Sequence, residues 1–144
     1  MQEVNIRPVV LSDAPELAPL MEQLGYPTTA SEMEQRLKNI LPQSDYHALV
    51  AICDGHMVGM IGLCVRWGYQ ANDLRGEIIA LVIEQEYRSR GVGARLVAAG
   101  EHWFQERGAS RIIVGSGNWR PDAHRFYERL GYQATGVRFV KTMS

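Results

Sequence analysis

Apolar positions along the chain recur with two different periods, and each change of period marks a change of predicted secondary structure. A β-favouring run over residues 4–10 comes first and is interrupted by a proline. Two stretches with helical spacing follow it. The first begins at Asp13, an N-cap type of residue, and ends at Gly25; the second has a capping-box pattern at 31–34 and ends at Pro42.

The rest of the chain alternates strands with helices. Apolar runs over 46–53 and 57–67 flank the turn signal Asp54–Gly55, which predicts a hairpin. The elements predicted after it are a strand over 77–83, a helix over 92–107, a strand over 110–115, a helix begun by Pro121 and Asp122, and short strands over 132–134 and 137–142. This mixed order predicts an α/β fold with a mixed sheet and about four helices in one domain, residues 1–144.

Composition and charge narrow the class of protein. The formal net charge of −1 leaves no basic field for nucleic-acid binding, and no apolar run is long enough to span a membrane. Residues 1–5 lack the pattern of a signal peptide. Cys53 and Cys64 lie in apolar strands without metal-ligand spacing, so we expect buried thiols, no metal site and a cytoplasmic location.

The strongest chemical signal is the loop between the strand over 77–83 and the helix that begins near Val92. A helix N-terminus has unpaired N–H groups and attracts anions. Gly91 and Gly93 remove side chains that would keep a phosphate away from those amides, and Arg88 and Arg90 add positive charge. The loop therefore has the features of a pyrophosphate-binding site.

Two motifs resemble the GNAT superfamily of acetyl-CoA-dependent N-acetyltransferases. Arg88-Ser89-Arg90-Gly91-Val92-Gly93, followed by Ala94, matches the family's Gln/Arg-x-x-Gly-x-Gly/Ala signature. The segment from Ala123 through Phe126-Tyr127 to Gly131-Tyr132 is similar to its C-terminal element. The resemblance extends over the whole chain in element order, although Gln85 stands where the family commonly has proline.

The resemblance implies a mostly antiparallel sheet that splays between the fourth and fifth strands, with acetyl-CoA bound in the opening. Its pyrophosphate would lie on the loop, and its pantetheine arm would pair with the fourth strand. The cofactor-binding residues implied are Leu81, Val82, Ile83, Arg88, Ser89, Arg90, Gly91, Val92, Gly93 and Ala94. The amide of Leu81 or Ile83 would polarise the thioester carbonyl.

Two catalytic residues are implied. Tyr127 matches a family tyrosine that protonates the departing thiolate; the alternative is a tyrosine of the core. Glu77 matches the position of a glutamate base in the histone-acetylating branch. As the charged first residue of an apolar strand, it would gain basicity on burial. The alternative is a strand-end carboxylate that faces solvent or pairs with an arginine such as Arg75.

The sequence departs from the family at Arg120, where an asparagine often contacts the cofactor and Asn118 lies two residues earlier. Either residue contacts acetyl-CoA, or both only shape the turn. We expect an acyltransferase that acetylates a primary amine of a small molecule or peptide, including a lysine or N-terminus. The alternative is a regulatory module that binds acetyl-CoA without turnover. A homodimer through the C-terminal strands would be common in the family.

Overall fold

A computed structural model describes residues 3–115, 121–136 and 139–143. Within these ranges the chain forms five strands and four α-helices, with short 3-10 turns at Leu11–Asp13 and Gln85–Tyr87. The elements are β1 (Val4–Pro8), α1 (Ala14–Leu24), α2 (Ala30–Ile40), β2 (Tyr46–Cys53), β3 (His56–Trp67), β4 (Leu74–Ile83), α3 (Val92–Glu106), β5 (Arg111–Val114) and α4 (Pro121–Arg129).

The five strands form one mixed sheet in the order β1-β2-β3-β4-β5. The first four are antiparallel neighbours, and β5 pairs in parallel with β4. The predicted α/β class, the mixed and mostly antiparallel sheet and the four helices are confirmed. The parallel pair is possible because α3 carries the chain back across the sheet between β4 and β5.

A helical layer covers each face of the sheet. On one face, α1 and α2 pack over Val50, Met60 and Val82. On the other, α3 packs over Leu63 and Ile78, among other residues. The buried side chains of α3 are Val92, Leu96, Val97 and Phe104. Burial of each such side chain contributes about 1.5–3 kcal/mol, so the helix that follows the glycine loop is anchored along its length.

The sheet opens between β4 and β5. The β4–β5 ladder begins at the Arg75–Arg111 pair and ends at the pair Ile78–Val114. Just beyond it, Ala80 pairs with Gly62 and Ile78 with Leu63, so Ile79 is an extra residue in β4. A bulge of this kind bends its strand. The last five residues of β4 therefore have no strand on the β5 side among the described residues, and the predicted splay is confirmed.

The start of α2 corrects one prediction. The capping box was predicted at 31–34, but the helix begins at Ala30. Thr29 is its N-cap: the Glu32 N–H donates to Thr29 Oγ1 at 3.1 Å, and the Thr29 N–H donates to Glu32 Oε1 at 2.8 Å. Both segments have the Ser/Thr-x-x-Glu pattern, and the extended backbone at Thr29 (φ −84°, ψ 161°) selects the earlier one.

The C-terminal strands were wrongly predicted where the structure describes them. Residues 132–136 and 139–143 are not in strands. The Tyr132 N–H donates to the Tyr127 carbonyl at 3.0 Å, which closes the end of α4 instead of extending the sheet. Phe139 and Val140 are exposed, so their apolar pattern has no sheet face to cover. Residues 137 and 138 lie outside the described ranges.

Cys53 and Cys64 are both buried free thiols, as expected from their apolar neighbours. None of the helices in the described ranges is long and apolar enough to cross a membrane.

Candidate active site

The open edge of β4 presents two backbone amides. The Glu84 N–H donates to the Val58 carbonyl of β3 at 2.8 Å. Because N–H groups alternate between the two edges of a strand, those of Leu81 and Ile83 point away from β3, toward the opening. These are the two amides that sequence analysis assigns to the thioester carbonyl. Val82 lies between them, and its side chain is buried under α1 and α2.

The loop after β4 has an unusual backbone. Ser89 (φ 64°) and Gly91 (φ 82°) are both in the left-handed region, whereas Arg90 between them is not. Left-handed residues of this kind occur in the concave backbone turns that bind anions. Gly91 is the N-cap of α3, and the Arg95 N–H is bonded to its carbonyl at 3.1 Å. The loop therefore combines a concave turn with the N-terminus of a 15-residue helix.

The two loop arginines stabilise the turn through their own contacts. Arg88 Nε donates to the Ile83 carbonyl at 3.1 Å, which holds the end of β4. The Arg90 guanidinium lies over the Tyr87 ring, 5.1 Å from its centroid. Both positive charges therefore stay beside the helix N-terminus. Contact of Arg88, Ser89, Arg90 or Ala94 with a phosphate stays a prediction.

The fourth helix packs directly on the start of α3. A Cβ atom built on Gly93 would lie 3.2 Å from two ring carbons of Phe126 and 3.6 Å from the Ile83 side chain. A second contact lies further along α3, where the Tyr132 hydroxyl donates a hydrogen bond to Glu101 Oε2 at 2.7 Å. Three predicted site segments, namely the end of β4, the glycine loop and α4, therefore meet at Gly93.

Tyr127 is held between two other aromatic rings. Phe126 and Tyr132 contact it edge-on, with centroid distances of 5.2 and 5.7 Å. Burial raises the pKa of Tyr127 from 10.0 to about 12. The phenol is therefore a weaker acid than an ordinary tyrosine, and like one it is protonated at neutral pH. Burial also raises the pKa of Tyr132, and its hydrogen bond to Glu101 adds to that shift.

Glu77 lies just before the opening, where β4 still pairs with β5, and it is ion-paired. Arg66 Nη2 is 2.9 Å from Glu77 Oε1, so the partner is not the Arg75 that sequence analysis suggested. Cys64 is the residue of β3 that pairs with Glu77 in register. Arg66 lies two residues further along β3, and its side chain contacts Glu77 diagonally. The pair lines a pocket of about 360 Å³ with Ile79 and Gly115. Ile83 is six positions after Glu77 in β4, which corresponds to roughly 20 Å of extended strand.

Two residues of this pocket were not predicted from the sequence. Arg66 is the first charged residue after a long apolar strand, and its position opposite the strand of Glu77 was the available signal. Ile79 reaches the pocket because of the bulge, which no sequence pattern indicated. Asn118 and Arg120, the two candidates for a further cofactor contact, lie outside the described residues.

Residues 15–132 match the model of the acetyltransferase (GNAT) family. The aminoalkylphosphonate N-acetyltransferase of Salmonella typhimurium is 34% identical over 97 residues, which are 67% of this chain and 63% of that protein. The chain thus matches less than two thirds of the length of this relative.

Solved structures share the fold over almost the whole chain. A GNAT family acetyltransferase from Staphylococcus aureus is 31% identical and superposes with a TM-score of 0.83 over 99% of this chain and 100% of that one. The aminoglycoside N-acetyltransferase AAC(6')-Iy, solved in complex with CoA, has a TM-score of 0.87 over 100% and 97% of the two chains. At 19% identity, the second comparison concerns the fold alone.

Proposed function

This chain belongs to the GNAT acetyltransferase family, and we propose that it transfers the acetyl group of acetyl-CoA to a primary amine by direct attack. The observation that carries the proposal is the continuity of the open β4 edge with the concave glycine loop. Together they provide strand-pairing groups for an extended arm and an anion site for a pyrophosphate. Acetyl-CoA has both parts, in that order.

In this proposal the backbone binds the co-substrate. The N–H groups of residues 90–94 hold the pyrophosphate, and the pantetheine arm pairs with Leu81, Val82 and Ile83. The N–H of Leu81 or Ile83 donates to the thioester carbonyl, where negative charge develops as the amine attacks. Asn118 or Arg120 adds a contact from the turn before α4.

Two side chains move protons. Glu77 accepts the first proton that the acceptor ammonium must lose, and its pair with Arg66 holds the carboxylate at the pocket until the acceptor binds. The new C–N bond forms as the C–S bond breaks, the CoA thiolate takes the proton of the Tyr127 phenol, and the second proton lost by the nitrogen returns to the phenolate. The packing of the neighbouring Phe126 on Gly93 supports this role, because it places α4 beside the glycine loop and the end of β4.

A small-molecule amine is the acceptor that the comparisons and the pocket support best. The Salmonella relative is named for aminoalkylphosphonates, and the pocket beside Glu77 has room for a small amine. A peptide N-terminus or lysine is the second candidate acceptor. We also place the protein in the cytoplasm, which two buried free thiols support. A homodimer through the C-terminal residues stays a prediction.

Release of free thiol from acetyl-CoA, measured against a panel of small amines and peptides, tests the proposal. Product masses should increase by one acetyl group, and calorimetry should detect CoA binding. Heat with CoA but no thiol release with any amine would indicate the non-catalytic binding module instead. No heat with CoA or acetyl-CoA at millimolar concentration would overturn the site assignment as well.

A further inference from the structure

The pocket beside the bulge contains one charge of each sign. The Arg66 side chain is 61% exposed and the Glu77 side chain 22% exposed, and the two are bonded at 2.9 Å. Both line the pocket, whereas its other described lining residues, Ile79 and Gly115, are uncharged. A guanidinium group has five N–H donors, and one ion pair with a carboxylate leaves donors for a second anion.

A second arginine lies beside this pair on the sheet. Arg75 faces Arg66 in register, and it lies on the same face as Glu77 because the two are neighbours at a spacing of two on β4. The Arg75 guanidinium lies against Gly68 and is 3.4 Å from Gln70 Oε1. Glu77 therefore already has a guanidinium partner in Arg66, which disfavours a polycationic acceptor such as a polyamine.

We infer that Arg66 is a specificity-determining residue that binds an anionic group of the acceptor, an inference that rests on the proposed function. The acceptor would be a small primary amine with a phosphonate, phosphate or carboxylate a few bonds from its nitrogen. Its ammonium group replaces Arg66 as the partner of Glu77, while its anion takes the guanidinium. Because the two side chains are in contact, the two groups of the acceptor must also be close together.

The wild-type protein gives the first test. With saturating acetyl-CoA, thiol release is compared for 2-aminoethylphosphonate and for propylamine, which has a similar length and no anion. We expect the phosphonate to have a kcat/KM about 10- to 100-fold higher, the range expected from a charge-assisted hydrogen bond. Ethylphosphonate, which has no amine, should inhibit acetylation of propylamine competitively. Equal kcat/KM values and no inhibition would overturn the inference.

Variants separate anion binding from a structural role. Arg66→Gln should raise the KM for 2-aminoethylphosphonate about 10- to 100-fold, whereas the KM for propylamine should not rise, because its ammonium group no longer competes with Arg66 for Glu77. Arg66→Lys, which keeps the charge, should recover part of the loss. Lys38→Gln removes one charge from an exposed pair with Glu34 on α2 and serves as the matched control.

The outcomes distinguish the inference from the proposed function. Equal losses with both amines in Arg66→Gln would show that Arg66 only positions Glu77, and the inference would be wrong while acetyl transfer stands. Acetylation of propylamine but not of any anionic amine would have the same meaning. Absence of thiol release with every amine would refute the proposed function and the inference together.

Discussion

Phe126 of α4 lies on Gly93 of α3, where a Cβ atom would be only 3.2 Å from two carbons of its ring. Gly93 was selected from the sequence as a residue that admits a phosphate. In the structure, the absence of a side chain at Gly93 also leaves room for the Phe126 ring. This contact fixes the spacing between the glycine loop and the helix that carries Tyr127. The packing of one glycine thereby connects the candidate cofactor loop with the candidate proton donor.

Substitution Tyr127→Phe tests the proton donor. The ring contacts with Phe126 and Tyr132 are kept, so we expect unchanged folding, a KM for acetyl-CoA within about twofold and a kcat about 100-fold lower. Tyr132→Phe is the matched control, since it removes one hydroxyl from the same cluster and only a bond to Glu101. A kcat in Tyr127→Phe equal to that of the control would rule out the catalytic role.

The pH profile tests the protonation state of the same phenol. Tyr127 is protonated below its pKa of about 12, so its donor function is lost only as the pH rises through that value. An unperturbed tyrosine would lose its proton near pH 10. We therefore expect the rate to rise as the acceptor amine deprotonates and to show no decline up to about pH 10.5. A decline with a midpoint near pH 9, in protein shown to stay folded, would contradict the prediction.

Gly91→Glu tests the anion site. A carboxylate at the N-cap of α3 would repel the pyrophosphate and cover its amides, so acetyl-CoA binding should be lost in calorimetry. Gly108→Glu is a close control: its φ is +80° against +82° for Gly91, and a Cβ meets nothing within 4 Å at either position. The two variants should lose similar stability from backbone strain. Equal binding in Gly91→Glu and the parent would refute the loop assignment.

Gly76→Ala tests the packing of α3 on β4. A Cβ atom there would lie 2.6 Å from the Phe104 ring, so the buried ring must move. We expect a loss of about 1–3 kcal/mol in the free energy of unfolding measured with urea. In Gly62→Ala, one strand away, the nearest atom would be at 3.5 Å, an ordinary contact. A loss in Gly62→Ala as large as in Gly76→Ala would show that the ring contact is not the cause.

The Arg7–Asp13 pair should make stability depend on acid pH. Two hydrogen bonds of 2.9 Å from Arg7 lower the pKa of Asp13, and a third comes from the Val10 N–H at 2.8 Å. The stabilisation is complete above the unfolded value of 3.8 and is lost as the pH falls through the lower folded pKa.

Asp13→Asn should therefore lower the free energy of unfolding by about 2 kcal/mol at neutral pH. The loss stays below that of a fully buried pair, because the Arg7 side chain is 38% exposed. The difference from the parent should shrink toward pH 3, as urea unfolding at both pH values will show. Glu34→Gln, in the exposed pair with Lys38, should change stability by less than about 0.5 kcal/mol. A constant difference between pH 7 and pH 3 would contradict the assignment.

Most of the elements were predictable because their signals are local. Spacing of apolar residues predicted β2 and the extent of α3, and the Asp54–Gly55 turn predicted the hairpin, since each depends on neighbours along the chain. The prediction of C-terminal strands was wrong because strand formation depends on residues distant in the chain. A strand needs a partner, and the apolar run that contains Phe139 and Val140 gives no information about whether a sheet edge is available.

The features of the candidate site also fall into those with a local sequence signal and those that depend on contacts between distant residues. By itself, the sequence determined the glycine loop at the start of α3 and the family it resembles, because a strand, two glycines and a helix start are contiguous. Only the tertiary structure decided that β4 is open beyond Ile78, that Phe126 rests on Gly93, and that Arg66 pairs with Glu77. These contacts join residues distant in the chain. Strand register and the bulge at Ile79 determine the first and the third of these features, and neither produces a periodic pattern in the sequence.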